Sequence, residues 1–260
     1  MPELPEVEIF RRYFDHTSLH REIAAVTVRD TYVLSEVTPR DLEAGLAGRH
    51  FVASDRFGKY LFGERDTAGC IVFHFGMTGS LSYFDDPADE PPFTRVRFDF
   101  TRGFLAYVDV RKLGMITLTP GIDQFRREKK LGPDACEVGF EEFRKILSGK
   151  RGAIKSALMD QSLISGIGNI YSDEILFQAG IPPQRKINIL DETAIRAIYD
   201  AMKEVLGTAI HAGADMDKLP PSYLIPHREK GGMCPRCGHS LARIKVGGRT
   251  GYYCPEHQRV

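Results

Sequence analysis

Four metal-ligand side chains stand near the C-terminus: Cys234 and Cys237 as C-x2-C, then sixteen residues, then Cys254 and His257 as C-x2-H. Two ligand pairs separated by enough chain for two strands and a turn match a tetrahedral structural zinc site of Cys3His type. "GGRTG" supplies the turn. Four protein ligands leave no position for a reactive water, so this zinc is expected to hold structure and not to perform catalysis. His239 is a rival ligand outside the spacing. Cys70 lies in an apolar run and Cys136 in a loop, and neither is assigned a role.

The opposite end reads "MPELPEVE". Methionine before a small residue is commonly removed, which exposes Pro2 as a secondary amine with a reference pKa of roughly 8, well below that of lysine. Such an amine is a nucleophile toward an aldehyde-level carbon, and the iminium it forms is an electron sink that labilises neighbouring bonds. Glu3 and Glu6, one helical turn apart, are adjacent acid/base groups, and Lys59 in "RFGKYLF" is a strand residue able to bring a cation to the same place. The alternative is a simple helix start, with Pro5 in the first turn and glutamates complementing the dipole. On those eight residues alone this is the simpler reading. If Met1 is retained, Pro2 is an amide and the nucleophile does not exist.

A third stretch, "DQSLISGIGNIYSDEILFQAG", places Gly166 and Gly168 just ahead of a helix, with Asn169 as its expected N-cap. Backbone amides at such a terminus suit a phosphate. An ordinary capped helix-turn-helix is the other reading. Arg249, at the expected hairpin tip among Gly247, Gly248 and Gly251, suits a phosphate too; the alternative there is a solvated arginine on a turn.

These groups need elements to position them. Residues 5–14 carry Val7, Phe10 and Phe14 at helical spacing. From about 23 to 120 follow short runs rich in β-branched and aromatic residues: "IAAVTV", "HFVASDRF", "KYLFGE", "CIVFHF", "GSLSYF", "RVRFDF", "GFLAYVDV" and "GMITLT". Their spacing, with Gly, Asp and Pro turns, predicts a β-sandwich or barrel. Helical patterns dominate from about 138 to 213, and "KLPPSYLIPH" leads into the cysteine tail.

The composition, 42% hydrophobic and 27% charged, is that of a folded globular chain. No apolar run is long enough for a membrane span, and no basic-then-apolar leader opens the chain. Cysteine usage favours a metal site in a reducing cytoplasm over a disulfide framework. Basic and acidic residues balance at 35 each, which taken alone argues against a nucleic-acid partner. The distribution argues the other way: residues 228–260 hold seven basic side chains against two acidic ones.

Taken in order, "PELPEVE", a strand lysine, "HFGMTG", "DVRKLG", "GIGNIYSDEILFQAGIPP" and a zinc hairpin with "GRTGYYC" resemble the formamidopyrimidine-DNA glycosylase / endonuclease VIII family over essentially the whole chain. "ELPEVE" is closer to the formamidopyrimidine branch. The resemblance implies an α+β multidomain chain. Its parts are an N-terminal β-sandwich with an N-terminal helix (1–130), a helix–two-turn–helix domain (131–226) and a C-terminal zinc-finger β-hairpin (227–260), with DNA held between domains. It implies Pro2 as Schiff-base nucleophile and Glu3 as general acid, with Glu6 and Lys59 supporting. Lys59, His74, Asn169 and Arg249 would hold phosphates, and Met77, Arg111 and Leu113 would fill the gap left by a flipped nucleotide. For Met77, a core methionine beside a glycine turn is the alternative. The activity implied is base excision with abasic-site (AP) lyase cleavage, by a monomer acting on damaged duplex DNA.

Several positions depart from the family pattern. Leu113 stands where the formamidopyrimidine branch has phenylalanine, and the segment between Gly213 and Cys234 is short for a loop that covers a flipped 8-oxoguanine. "PHREKGG" replaces a Tyr-Gly-Arg approach to the finger, and His257 replaces a cysteine. The first three departures put 8-oxoguanine specificity in doubt and point toward formamidopyrimidines or oxidised pyrimidines, whereas the histidine ligand is expected to change zinc affinity but not geometry class. A catalytically inactive damaged-DNA binder on the same scaffold is the alternative, opposed by intact Pro2, Glu3 and Lys59. An RNA-binding zinc ribbon lacks the expected stacking aromatics.

Overall fold

Leu4, Val7 and Phe14 form the buried stripe of α1 (Leu4–Ser18), and this stripe fixes the chain's opening residues to a β-sandwich. The computed structural model describes residues 2–259; Met1, and with it the expectation that it is removed, lies outside them. Phe14 meets Phe51 and Phe73 at ring separations of 4.9 and 5.9 Å, and Phe10 meets Phe75 at 4.5 Å. Aromatic packing of this kind carries much of a core's apolar burial, so the helix start is held by a rigid scaffold.

The chain divides into two compact units, Met1–Lys130 and Leu131–Val260. Among the described residues the first holds eight strands: β1 (Ile23–Val28), β2 (Phe51–Phe57), β3 (Tyr60–Arg65), β4 (Cys70–His74), β5 (Gly79–Phe84), β6 (Thr94–Phe100), β7 (Phe104–Asp109) and β8 (Met115–Thr119). They form two antiparallel four-stranded sheets, ordered β1-β6-β7-β5 and β2-β3-β4-β8. Phe51, Phe73, Phe98 and Tyr107 belong to the shared core. All eight runs read from the sequence are strands. The short helices α2 (Pro39–Leu46), inside the β region, and α3 (Ile122–Glu128), after it, were not expected. Thr38 caps α2, its Oγ1 accepting from the Asp41 amide at 3.2 Å, with Pro39 in the first turn. Eight residues are too few to display a helical period.

The second unit contains α4 (Phe140–Leu147), α5 (Ile154–Met159), α6 (Asn169–Gln178), α7 (Glu192–His211) and the hairpin of β9 (Ala242–Val246) and β10 (Arg249–Tyr253). Helix α6 is the central element, with residues 171–177 all buried, including Asp173 and Glu174. The hairpin packs on its end through a cluster of Phe177, Leu224, Cys234, Leu241 and Cys254. Zinc finger and helical region therefore share one compact unit. Among the described residues, no helix is long and apolar enough to cross a membrane.

Candidate active site and nucleic-acid interface

In the first unit, Pro2 is half-buried immediately ahead of α1. Glu3, only 1% exposed, is the N-cap, and its backbone N–H donates to Glu6 Oε2 at 2.8 Å. The Glu3 carboxylate faces the Glu6 amide in return, a reciprocal capping box that fixes both carboxylates at the helix mouth. The first turn thus starts a helix and sets two carboxylates directly after Pro2.

Lys59, expected on a strand, lies instead in the two-residue turn between β2 and β3, where Phe57 pairs with Tyr60, and is 9% exposed. Tyr60 pairs with His74 across β3–β4, their rings 4.9 Å apart. Partial burial, and then the Lys59 charge, push the His74 pKa down from 6.5 to about 4. The Gly76 amide donates to His74 Nδ1 at 3.4 Å, which places the imidazole proton on Nε2. Neutral His74 is thereby a hydrogen-bond donor beside a lysine.

"HFGMTG" and "DVRKLG" form one constellation. Met77, Leu113 and Arg111 are all exposed, and an Arg111 guanidinium N–H approaches the Met77 sulfur at 3.2 Å. The two backbones touch: a Cβ at Gly76 would lie 2.4 Å from the Leu113 carbonyl, so only glycine fits. Asp109, which sequence reasoning missed, organises the loop from below. Fully buried, it accepts from Thr78 Oγ1 at 2.6 Å, the Arg111 amide at 3.2 Å and the Gly114 amide at 2.8 Å. An aspartate starting a turn was the available signal.

In the second unit, Asn169 is not the N-cap of α6. Gly168 caps the helix in an extended conformation, and Asn169 is its first residue. Its Nδ2 instead donates to the Thr250 carbonyl at 2.9 Å, carrying the side chain to the zinc hairpin. Arg249 follows the Gly247–Gly248 turn directly and is exposed, one residue from Thr250. The two residues expected to hold phosphate are therefore brought together.

The sulfurs of Cys234, Cys237 and Cys254 lie within 4.8 Å of one another, and the His257 amide donates to Cys254 Sγ at 3.3 Å. Three convergent thiols with an amide supporting one sulfur suit zinc. The His257 ring does not join them. Its Nε2 bonds the Phe177 carbonyl at 3.0 Å, and it packs on the Phe177 ring with centroids 4.8 Å apart.

Residues 1–116 match the formamidopyrimidine-DNA glycosylase N-terminal domain, 131–219 the H2TH domain of the same enzyme, and 231–256 a zinc finger found in FPG and IleRS. The chain belongs to the formamidopyrimidine-DNA glycosylase family. It is 36% identical to the formamidopyrimidine-DNA glycosylase of Moorella thermoacetica, with 94% of this chain and 95% of that protein covered. It is 34% identical to that of Solibacter usitatus over 100% of both. The Lactococcus lactis enzyme bound to DNA containing N7-benzyl-Fapy-dG superposes with a TM-score of 0.91 at 29% identity, covering 100% of each chain. Membership makes this chain a DNA N-glycosylase of base-excision repair with abasic-site lyase activity and one structural zinc.

Proposed function

We propose that this glycosylase removes formamidopyrimidines and oxidised pyrimidines in preference to 8-oxoguanine, through a covalent Pro2 intermediate. The observation that carries the covalent step is the placement of Pro2 directly before a capping box whose helix is fixed to the sandwich core. With Met1 removed, the Pro2 nitrogen attacks C1′ of the flipped nucleotide, and the bond from C1′ to the base breaks with its electron pair leaving on the base. Glu3 protonates the ring oxygen, the sugar opens, and an iminium joins Pro2 to C1′. That iminium acidifies C2′, so loss of a C2′ proton expels the 3′ phosphate by β-elimination, and loss of the C4′ proton from the resulting conjugated iminium expels the 5′ phosphate by δ-elimination. Water then releases Pro2. Glu6 holds the Glu3 backbone, and Lys59 contributes positive charge beside the phosphates with neutral His74 as a donor.

Two features support the lesion preference. Leu113 offers a half-exposed aliphatic tip where stacking would need an aromatic ring. The segment after α7 folds down onto the helical core: Leu219, Tyr223, Leu224 and Ile225 are buried, and Glu174 accepts the amides of Leu224 and Ile225 at 3.1 and 2.7 Å. A segment so committed leaves little chain to close over a flipped purine. Asn169, Arg249, Lys59 and His74 hold the phosphates, and Met77, Arg111 and Leu113 enter the gap in the duplex. Zinc, held by Cys234, Cys237 and Cys254 with His257 as fourth ligand, supplies structure to the hairpin that carries Arg249.

The test is borohydride trapping on abasic-site duplex, with Pro2→Ala as control and the N-terminus of each protein checked by mass spectrometry. A Pro2-dependent adduct supports the covalent mechanism. DNA binding without an adduct, with Met1 removed, would leave a damage-binding protein. A lesion panel then ranks formamidopyrimidine, oxidised pyrimidine and 8-oxoguanine duplexes.

A further inference from the structure

We infer that Arg228 is a positioning residue, holding the zinc hairpin against α6 through Asp173 so that Asn169 and Arg249 address the same DNA phosphate. The inference rests on the phosphate-binding role proposed above for those two side chains.

Asp173 lies one turn beyond Asn169 on α6 and is 1% exposed. Fully buried Lys155, from α5, ion-pairs with its Oδ1 and also donates to the Asn169 carbonyl at 3.2 Å. Asp173 Oδ2 accepts Arg228 Nε at 2.8 Å and the Tyr252 amide at 3.0 Å. A second guanidinium nitrogen of Arg228 reaches the Thr250 carbonyl at 3.4 Å, the same oxygen that takes Asn169 Nδ2. The guanidinium also lies 5.2 Å from the centre of the Tyr252 ring.

The hairpin backbone is therefore gripped on both sides of Gly251. At that residue a Cβ would come within 2.7 Å of Asp173 Oδ1 and 3.0 Å of Lys155 Nζ, so β10 approaches the ion pair as closely as backbone allows. Arg249 is the next residue out from the gripped Thr250. Neutralising Asp173 needs one cation, and Lys155 already provides it. Arg228 adds a second, whose planar fork spans carboxylate and carbonyl in a way a point charge cannot. Ion pairs removed from water contribute little net stability, so geometry is the gain to look for. Its Nε is committed to Asp173 and its side chain is only 16% exposed, so Arg228 acts on DNA through its neighbours.

The experiment measures binding of the zinc-loaded enzyme to a duplex with a stable abasic analogue, over a range of salt. The proteins are wild type, Arg228→Ala, Arg249→Ala and the double variant. Arg249→Ala should weaken binding about tenfold and reduce the salt slope by about one ion. Arg228→Ala should reproduce most of both effects, and the double variant should bind no more weakly than Arg249→Ala alone, because the two act as one unit. If Arg228→Ala loses zinc or melts, Arg228→Lys, which keeps charge and loses the fork, is read in its place with the same expectation. Additive losses, or unchanged binding in both Arg228 variants, would overturn the inference. No effect of Arg249→Ala itself would overturn the phosphate-binding role first, and this inference with it.

Discussion

Glu6 Oε2 accepts the backbone N–H of Glu3 at 2.8 Å, so one acid of the proposed catalytic pair sets the position of the other. Glu6→Ala should lose this bond and the capping box, destabilising the protein by about 1 kcal/mol. Excision should fall further than stability suggests, by up to roughly a hundredfold, because a small misplacement at a reacting centre is costly. Glu6→Gln keeps an acceptor oxygen and should retain most activity. Single-turnover excision rates beside thermal melts check this. Equal loss in both variants would assign Glu6 a proton-transfer role instead.

His74 carries a pH signature. Its folded pKa, about 4, lies below the usual 6.5 because burial and Lys59 disfavour the charged form. The neutral ring therefore contributes stability that is fully present above pH 6.5 and is lost as pH falls toward 4. Denaturant melts at pH 7 and pH 5 should differ by on the order of 1 kcal/mol more in wild type than in His74→Gln, after allowance for solvent screening. An NMR titration should place the His74 midpoint near 4 in the free protein. A midpoint near 6.5 would mean that neither burial nor Lys59 acts on the ring.

Zinc should be present at one per chain, and its removal by a chelator should abolish DNA binding by loosening the hairpin beside Arg249. His257 is the ligand to test. Its Nε2–H donates to the Phe177 carbonyl, which leaves Nδ1 as the lone-pair nitrogen, the tautomer a metal-bound histidine adopts. His257→Ala should hold zinc more weakly by one to two orders of magnitude, measured by competition with a colorimetric chelator. His239→Ala should not. The reverse result would assign the fourth ligand to His239.

What was legible beforehand follows from the range of the interactions involved. Runs such as "CIVFHF" and "RVRFDF" announce strands because β-branched and aromatic residues need a pleated, buried surface, and all eight strands are found. The C-x2-C and C-x2-H pairs announce a metal site because ligand spacing is local. Asn169 misled because Gly168 and Asn169 both suit a helix start, and only the distant Thr250 carbonyl selects between them. Asp109 carried a local sign, an aspartate opening a turn whose own amides it accepts, whereas Asp173 and Arg228 carried none, since the groups they meet come from other helices and strands.

Leu113 offers the sharpest test of how the base opposite the lesion is read. It stands 49% exposed beside Arg111 and Met77, on a loop fixed by Asp109 and by the backbone contact at Gly76. The loop is rigid, so a change at its tip should alter what is read without moving what holds it. An aliphatic tip fills space but presents no ring face to the unpaired base, and stacking on an aromatic is worth about 1–3 kcal/mol per base. Leu113→Phe should therefore tighten binding to lesion duplexes and widen the spread of excision rates among the four opposite bases. Melting temperature should not change, since the side chain is exposed in both forms. The measurement is a set of single-turnover excision rates on formamidopyrimidine duplexes with C, A, G or T opposite. An unchanged spread would show that Arg111 and Met77 set the opposite-base preference without help from residue 113.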